Sequence, residues 1–174
     1  MTLMTPLLNP DMFEKIMDLS ERNYSVKEWH RIHFEDIQLN SYDETALKLY
    51  PFYKRYLEQY ANTGVALSVY TENNQCLAMF GVVPLHPGVA EAWLMPSKFI
   101  SKHRFAFHRA TKNFLIFMMA KWKLHRLQIL VHSDNLVSKK WAEVLSFEQE
   151  GILKRYGVDK KNFFMYSRTY KNKR

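Results

Sequence analysis

The chain has 174 residues, 47% hydrophobic and 24% charged, a length and balance that give one domain with a single sizeable core and exclude wholesale disorder. Its one cysteine, Cys76, excludes an internal disulfide framework and a cysteine-based zinc site, and no uninterrupted run approaches the ~20 apolar residues that cross a bilayer. The net charge of +8 is uneven: residues 92–133 contain no Asp or Glu but hold Lys98, Lys102, Arg104, Arg109, Lys112, Lys121, Lys123 and Arg126, a block that attracts phosphates, nucleotides, nucleic acid or an acidic protein face.

The first residues, Met1 to Leu8, lack the basic start and long apolar run of a secretion signal, so a cytosolic setting is expected, a cell's own or one borrowed by a virus. Asn9 to Ser20 reads as a short amphipathic helix with a cap residue, a proline at its first position and inward Phe13, Ile16, Met17 and Leu19. Ser25 to His33 reads as a second helix or turn. Asp43 to Tyr60 is strongly helical and is kinked or split by Pro51. After Gly64 the period changes. Val65, Leu67 and Val69 alternate, Glu72 to Gln75 turns, and Cys76 to Val83 returns as the second arm of a hairpin. In that apolar run Cys76 reads as a buried, inert thiol. Val89 to Met95 is a third strand.

Helical pattern begins at Phe99 and is firm from about Arg109 to Trp122, apolar nearly all round and therefore buried on most sides. Leu127, Ile129 and Val131 alternate as a strand. A helix follows from Asn135 to Leu145, with Asp134 or Ser133 as its cap and Val137, Trp141, Val144 and Leu145 facing inward. Phe147 to Lys154 and Phe163 to Tyr170 close the chain as strands before a basic tail, residues 171–174. The expected fold is α/β: a mixed, mostly antiparallel central sheet with one parallel β-α-β crossover and helices on both faces.

This order resembles that of the GNAT N-acyltransferases. The segment Leu124 to Gly151 carries the resemblance: a strand, an Asn135-led helix, then Phe147 and the pair Glu150-Gly151 on the following strand. The resemblance makes residues 1–174 one domain, with variable N-terminal helices over 1–63, an acyl-CoA-binding half over 64–170 and the tail. It implies that the strands at Val89 to Met95 and Leu127 to Val131 part. The pantetheine arm of acetyl-CoA or another acyl-CoA would lie in the gap, on the backbone of Trp93, Leu94 and Met95, beside the helix led by Asn135. The pyrophosphate would sit on the N-terminus of the long helix, normally preceded by a loop Arg/Gln-x-x-Gly-x-Gly/Ala whose glycines let the backbone come close.

Here the sequence departs from the family. The loop falls on Arg104, Phe105, Ala106, Phe107, His108, Arg109 and Ala110, and there is no glycine between Gly88 and Gly151. Either Arg104, His108 and Arg109 replace the backbone cradle with cationic side chains, or Phe105 and Phe107 fill the slot; a lost or weakened cofactor site is the favoured reading. The tyrosine that commonly protonates the leaving thiolate aligns with Ala142, and a methyl group cannot take that role. Tyr156, Tyr166 and Tyr170 are the remaining candidate acids. Glu91 is the candidate base if it points into the cleft, and an ordinary surface or ion-paired carboxylate if it does not.

A narrower resemblance, to the GNAT-like internal virion proteins of short-tailed phages, implies phage or host protein partners and a place in the virion or host cytoplasm. Three functions follow: an N-acyltransferase with a degenerate loop, a non-enzymatic assembly or interaction protein on the same fold, and a basic module for nucleic acid. For the last, the acid-free block and the aromatics Tyr50, Phe52, Tyr53, Tyr56 and Tyr60 are the support. His30 and His33, three apart, read as a surface pair, and no metal is expected.

Overall fold

Period-two alternation of apolar residues builds the sheet. In the computed structural model, which describes residues 9–19 and 23–169, seven strands lie in the order β1-β2-β3-β4-β5-β7-β6. They are β1 (Tyr24–Glu28), β2 (Val65–Thr71), β3 (Cys76–His86), β4 (Val89–Pro96), β5 (Arg126–His132), β6 (Glu148–Leu153) and β7 (Phe163–Thr169). Every neighbouring pair is antiparallel except β4–β5. The helices are α1 (Pro10–Ile16), α2 (His33–Asp36), α3 (Ser41–Leu49), α4 (Tyr53–Ala61), α5 (Arg104–Lys121) and α6 (Leu136–Val144). The reading of Met1 to Leu8, Ser20, Tyr170 and the tail concerns residues outside the described ones.

Alternation sends side chains to two separate cores. On one face, Phe80, Val82, Ala90 and Leu127 meet Phe13 and Met17 at α1, Phe114 and Met118 of α5 and Ala142 of α6. On the other, Tyr70, Met79 and Met95 meet Trp29, Phe34 of α2 and Leu57 and Ala61 of α4. Cys76 is fully buried there, and burial pushes its thiol up to about 12, an inert state. The β3–β4 turn depends on Gly88, whose φ of +79 suits glycine and whose added Cβ would strike the His125 ring.

Pro51 splits the predicted long helix into α3 and α4, as its missing N–H requires. Three expectations are corrected. Residues 24–28 form a strand, not a helix or turn: this edge strand buries only Val26, so its sequence carries little alternation, yet it pairs with β2 along its whole length. The cap of α6 is Asn135, whose side chain accepts from Ser138 N at 3.0 Å, not Asp134 or Ser133. On that helix Val137 (79% exposed) and Val144 (66%) face outward, against expectation, while Ala142 and Leu145 are buried. Finally, Arg104 to Ala110 is no loop but the first two turns of α5, entered directly from a 3-10 turn, Ile100–His103. Without glycine, nothing in that stretch resists helix formation. Asn135→Ala should cost about 1 kcal/mol, the ordinary worth of such a cap, read as a lowered urea midpoint at unchanged slope.

Candidate functional site

The β4–β5 pair is where the sheet opens. Val89, Ala90 and Glu91 pair with Arg126, Leu127 and Gln128, and there the parallel ladder stops. Beyond it β4 continues to Pro96 beside β3, and β5 continues to His132 beside β7. A cavity of about 280 Å³ occupies the gap. It reaches both faces of the sheet: Thr111, Phe114 and Ala142 line it from the α5–α6 side, Asp43 and Tyr53 from the α3–α4 side. Apolar side chains of β4 and β5 form its walls, Ala92, Trp93 and Leu94 against Ile129, Leu130 and Val131.

Glu91 sits at the vertex. Its carboxylate accepts the Tyr60 phenol (2.6 Å) and the Gln128 side-chain amide (2.9 Å), and it lines the cavity. It therefore points into the cavity rather than to bulk solvent, and among the described residues its partners are these two and not an arginine. Burial, then the bond to Glu91, hold the Tyr60 phenol protonated far above the usual tyrosine range. The second carboxylate, Asp43, lies near the start of α3, where Asn40 caps the helix and donates its amide to Asp43. Burial pushes Asp43 up to about 7, against the opposing pull of that amide. Tyr53, beside it, is also held protonated, first by burial and then by the Asp43 charge.

Two polar atoms in this region are buried without a partner among the described residues: Trp93 Nε1 and Thr111 Oγ1. The indole fits because its cross-strand neighbour is Gly81, where a Cβ would lie 2.7 Å from Trp93 Nε1. Buried orphan donors are rare and cost free energy; Trp93 Nε1 lies over Gly81 on the β3 side, so Thr111 Oγ1, on the cavity wall, is the one that points to a polar occupant of the gap.

The far end of the gap is spanned. Residues 38–40 run along the end of β4, with Lys98 N donating to Gln38 O (2.8 Å), a bridge between Leu39 and Ser97, and Asn40 Nδ2 donating to Pro96 O (3.1 Å). From there Tyr42 crosses over: its hydroxyl donates to Asp134 O (2.9 Å) and its ring packs on His132, centroids 5.1 Å apart. His132 in turn is 2.8 Å from Asp159.

Of the residues singled out in the sequence, Glu91, Trp93, Leu94 and Asn135 meet along this cavity, with Asn135's oxygen engaged in capping α6. Met95 is buried toward α2 and α4. Neither phenylalanine plugs the gap: Phe105 is 75% exposed, and Phe107 is buried against Trp141 (stacked, 5.4 Å) and Phe80. Arg104 is exposed at the first turn of α5 and stacks on Phe105, with Ala106 half-buried beside them. His108 accepts the Trp141 indole N–H (3.2 Å), and Arg109 pairs with Asp18 (2.9 Å). The three-residue cationic cradle is thus not assembled; two of its members are turned to other partners.

Elsewhere in the basic block, Arg126 makes a two-pronged bond to Glu150 (3.0 and 2.6 Å). Of the candidate acids, Tyr166 is fully buried and Tyr156 is exposed beyond β6. His33 is buried on Ser68, and burial pulls it below the ordinary histidine value. Among the described residues no helix is long and apolar enough to cross a membrane. Asp43 and Thr111 had no sequence signal as site residues, and Tyr53 and Tyr60 stood out only as part of an aromatic stacking surface, because only the tertiary fold brings them to β4.

No family model matches the sequence, and no curated protein matches it. Solved structures do. An Ard1 from Thermoplasma volcanium superposes with a TM-score of 0.69 at 12% identity, over 86% of this chain and 99% of that one. A GNAT-family acetyltransferase from Bacillus anthracis gives 0.64 at 14% identity, over 85% and 95%. RimL, a ribosomal L7/L12 α-N-protein acetyltransferase in complex with coenzyme A, gives 0.62 at 13% identity, over 85% and 94%. At such identities the similarity is one of fold.

Proposed function

On a chain that has the GNAT fold, we propose an N-acyltransferase-like activity, with the acyl-pantetheine arm of an acyl-CoA received between β4 and β5 and a weakened grip on its diphosphate. The observation that carries this is the parting of those strands directly after Glu91 and Gln128, with a cavity through the sheet at that point. The residues fit the arm: the β4 edge from Ala92 to Pro96 has no partner on β5, and Thr111 Oγ1 on the cavity wall lacks a partner of its own. They fit the diphosphate poorly, since α5 begins without a glycine cradle.

Acyl-CoA supplies an activated acyl group as a thioester. In this reading Glu91, fixed by Tyr60 and Gln128, holds the incoming amine on the α4 side of the gap and takes its proton. The apolar walls exclude water from the transfer. Where a phenol commonly serves the leaving group, Ala142 stands buried, so chemistry is slow.

Acetyl-CoA at ~100 times its dissociation constant should stabilise the fold by ~2.7 kcal/mol, seen as a rise in melting temperature. Absence of any shift at millimolar ligand removes the acyl-transfer reading. A second reading then takes its place, a GNAT-fold protein that binds phage or host proteins in assembly. It is favoured by the apolar residues that α6 leaves uncovered, Leu136, Val137 and Val144.

A further inference from the structure

The face of α5 that packs on the sheet carries Phe107, Thr111 and Phe114, at spacings of four and three that put all three on one side of the helix. Both rings stand edge-on to Phe80 of β3, at 6.3 and 5.1 Å, and Phe80 is paired across strands with Leu94 of β4. Thr111, between those rings, is thereby held over the sheet near Leu94. That level is three residues beyond Glu91, or roughly 10 Å along the strand.

Thr111 is 9% exposed and lines the cavity, yet its hydroxyl has no partner among the described residues. A helical threonine ordinarily can return its hydroxyl to the carbonyl three or four residues earlier; this one does not. The wall around it, Phe114, Leu115, Ala142 and Leu145, offers nothing polar. Other polar groups of the lining are already engaged. His132 uses both ring nitrogens, on Asp159 and on the Asp134 N–H, the Asn135 oxygen caps α6, and the Trp141 N–H goes to His108. Ser138, at the start of α6, is the other hydroxyl on this wall, and it is only half-buried. A buried donor left unmet costs free energy, and valine would fill the same space without that cost.

We propose that Thr111 is a binding residue for the arm of the acyl donor, its hydroxyl donating to an amide carbonyl of the arm at that fixed distance from Glu91. The inference rests on the acyl-transfer reading for the identity of the arm; the demand for an acceptor rests on Thr111 itself. The open edge of β4 meets the chain from the side and Thr111 meets it from the α5 face, so the arm is held in depth as well as in line. A slot built this way favours donors with an amide at that level over plain alkyl thioesters of equal length.

The test uses the full chain as wild type, Thr111→Val and Thr111→Ser, with acetyl-CoA as the probe. A hydroxyl that serves the fold would lower stability and affinity together when removed, whereas a hydroxyl kept for a ligand moves them in opposite directions. Free Thr111→Val should melt about 2–4 °C higher than the wild type, since an unmet buried donor has gone. The same variant should bind acetyl-CoA about ten-fold more weakly by calorimetry, while Thr111→Ser stays within about three-fold of the wild type. A lower melting temperature for Thr111→Val, or its failure to fold, means that the hydroxyl has a partner in the folded chain and overturns the inference. Unchanged affinity in that variant also overturns it and leaves acyl transfer standing. Absence of binding by the wild type sinks acyl transfer and takes the inference with it, so the wild type alone tells the two failures apart.

Discussion

Asp43→Asn makes the chain more stable at pH 8, by about 2 kcal/mol, and changes its stability near pH 4 very little. Burial holds this carboxyl at about 7 in the folded chain, against 3.8 ordinarily. Below about pH 4 folded and unfolded chains both carry the neutral acid, which an amide mimics, so the variant gains nothing. As the pH rises toward 7 the unfolded chain releases the proton and the folded chain keeps it, and the native protein loses stability. Above 7 the whole difference stands. The gap between the two values corresponds to a ceiling of ~4 kcal/mol, and the cavity that lets solvent reach Asp43 brings this to about 2. Urea unfolding of both forms near pH 4, 6 and 8 measures it. A variant less stable at pH 8 would mean that the carboxylate finds a cation in the free protein, contrary to its surroundings.

The second large effect separates two phenylalanines on one helix. Phe114 is 1% exposed, and its ring meets Phe13 (5.7 Å) and Phe80 (5.1 Å), so it ties α5 to α1 and to the sheet at once. Phe114→Ala should cost about 3–5 kcal/mol, a large share of the 5–15 kcal/mol that domains usually possess. Phe105, nine positions earlier and largely in solvent, should tolerate Ala within about 0.5 kcal/mol. Melting temperatures show the contrast, a fall of roughly 10 °C or more for the first and almost none for the second. A comparable loss from Phe105→Ala would place its ring in the gap and restore the plugged-slot reading.

Much of this architecture could be read from residue order. The hairpin from Val65, the break at Pro51 and the strand at Leu127 all announce themselves through local period or a missing N–H, signals that tertiary packing does not reverse. The failures are equally physical. β1 is an edge strand with one buried side chain, so pairing rather than pattern makes it. In α6, apolar spacing marks Val137 and Val144, but the face that packs on the sheet carries the small Ala142 with Leu145, and an alanine gives a hydrophobic pattern little weight. Around Arg104, the loop implied by the resemblance competes with the helical pattern that begins at Phe99, and the structure follows the pattern because nothing in the composition opposes a helix. The site was half legible. Glu91, Trp93 and Leu94 follow from the strand that bears them, whereas Asp43 reaches the same cavity from a segment more than forty residues earlier.

The crossing made by Tyr42 changes what kind of opening the sheet contains. With β4 for one side, β5 for another and the stretch from Leu39 to Tyr42 for the third, the outline is a closed triangle rather than a fork. A fork can be entered edgewise, by sliding along its plane. A needle's eye admits only a thread that passes from one surface to the other, so whatever long molecule occupies it must show its head on the side of α4 and leave its tail on the side of α5.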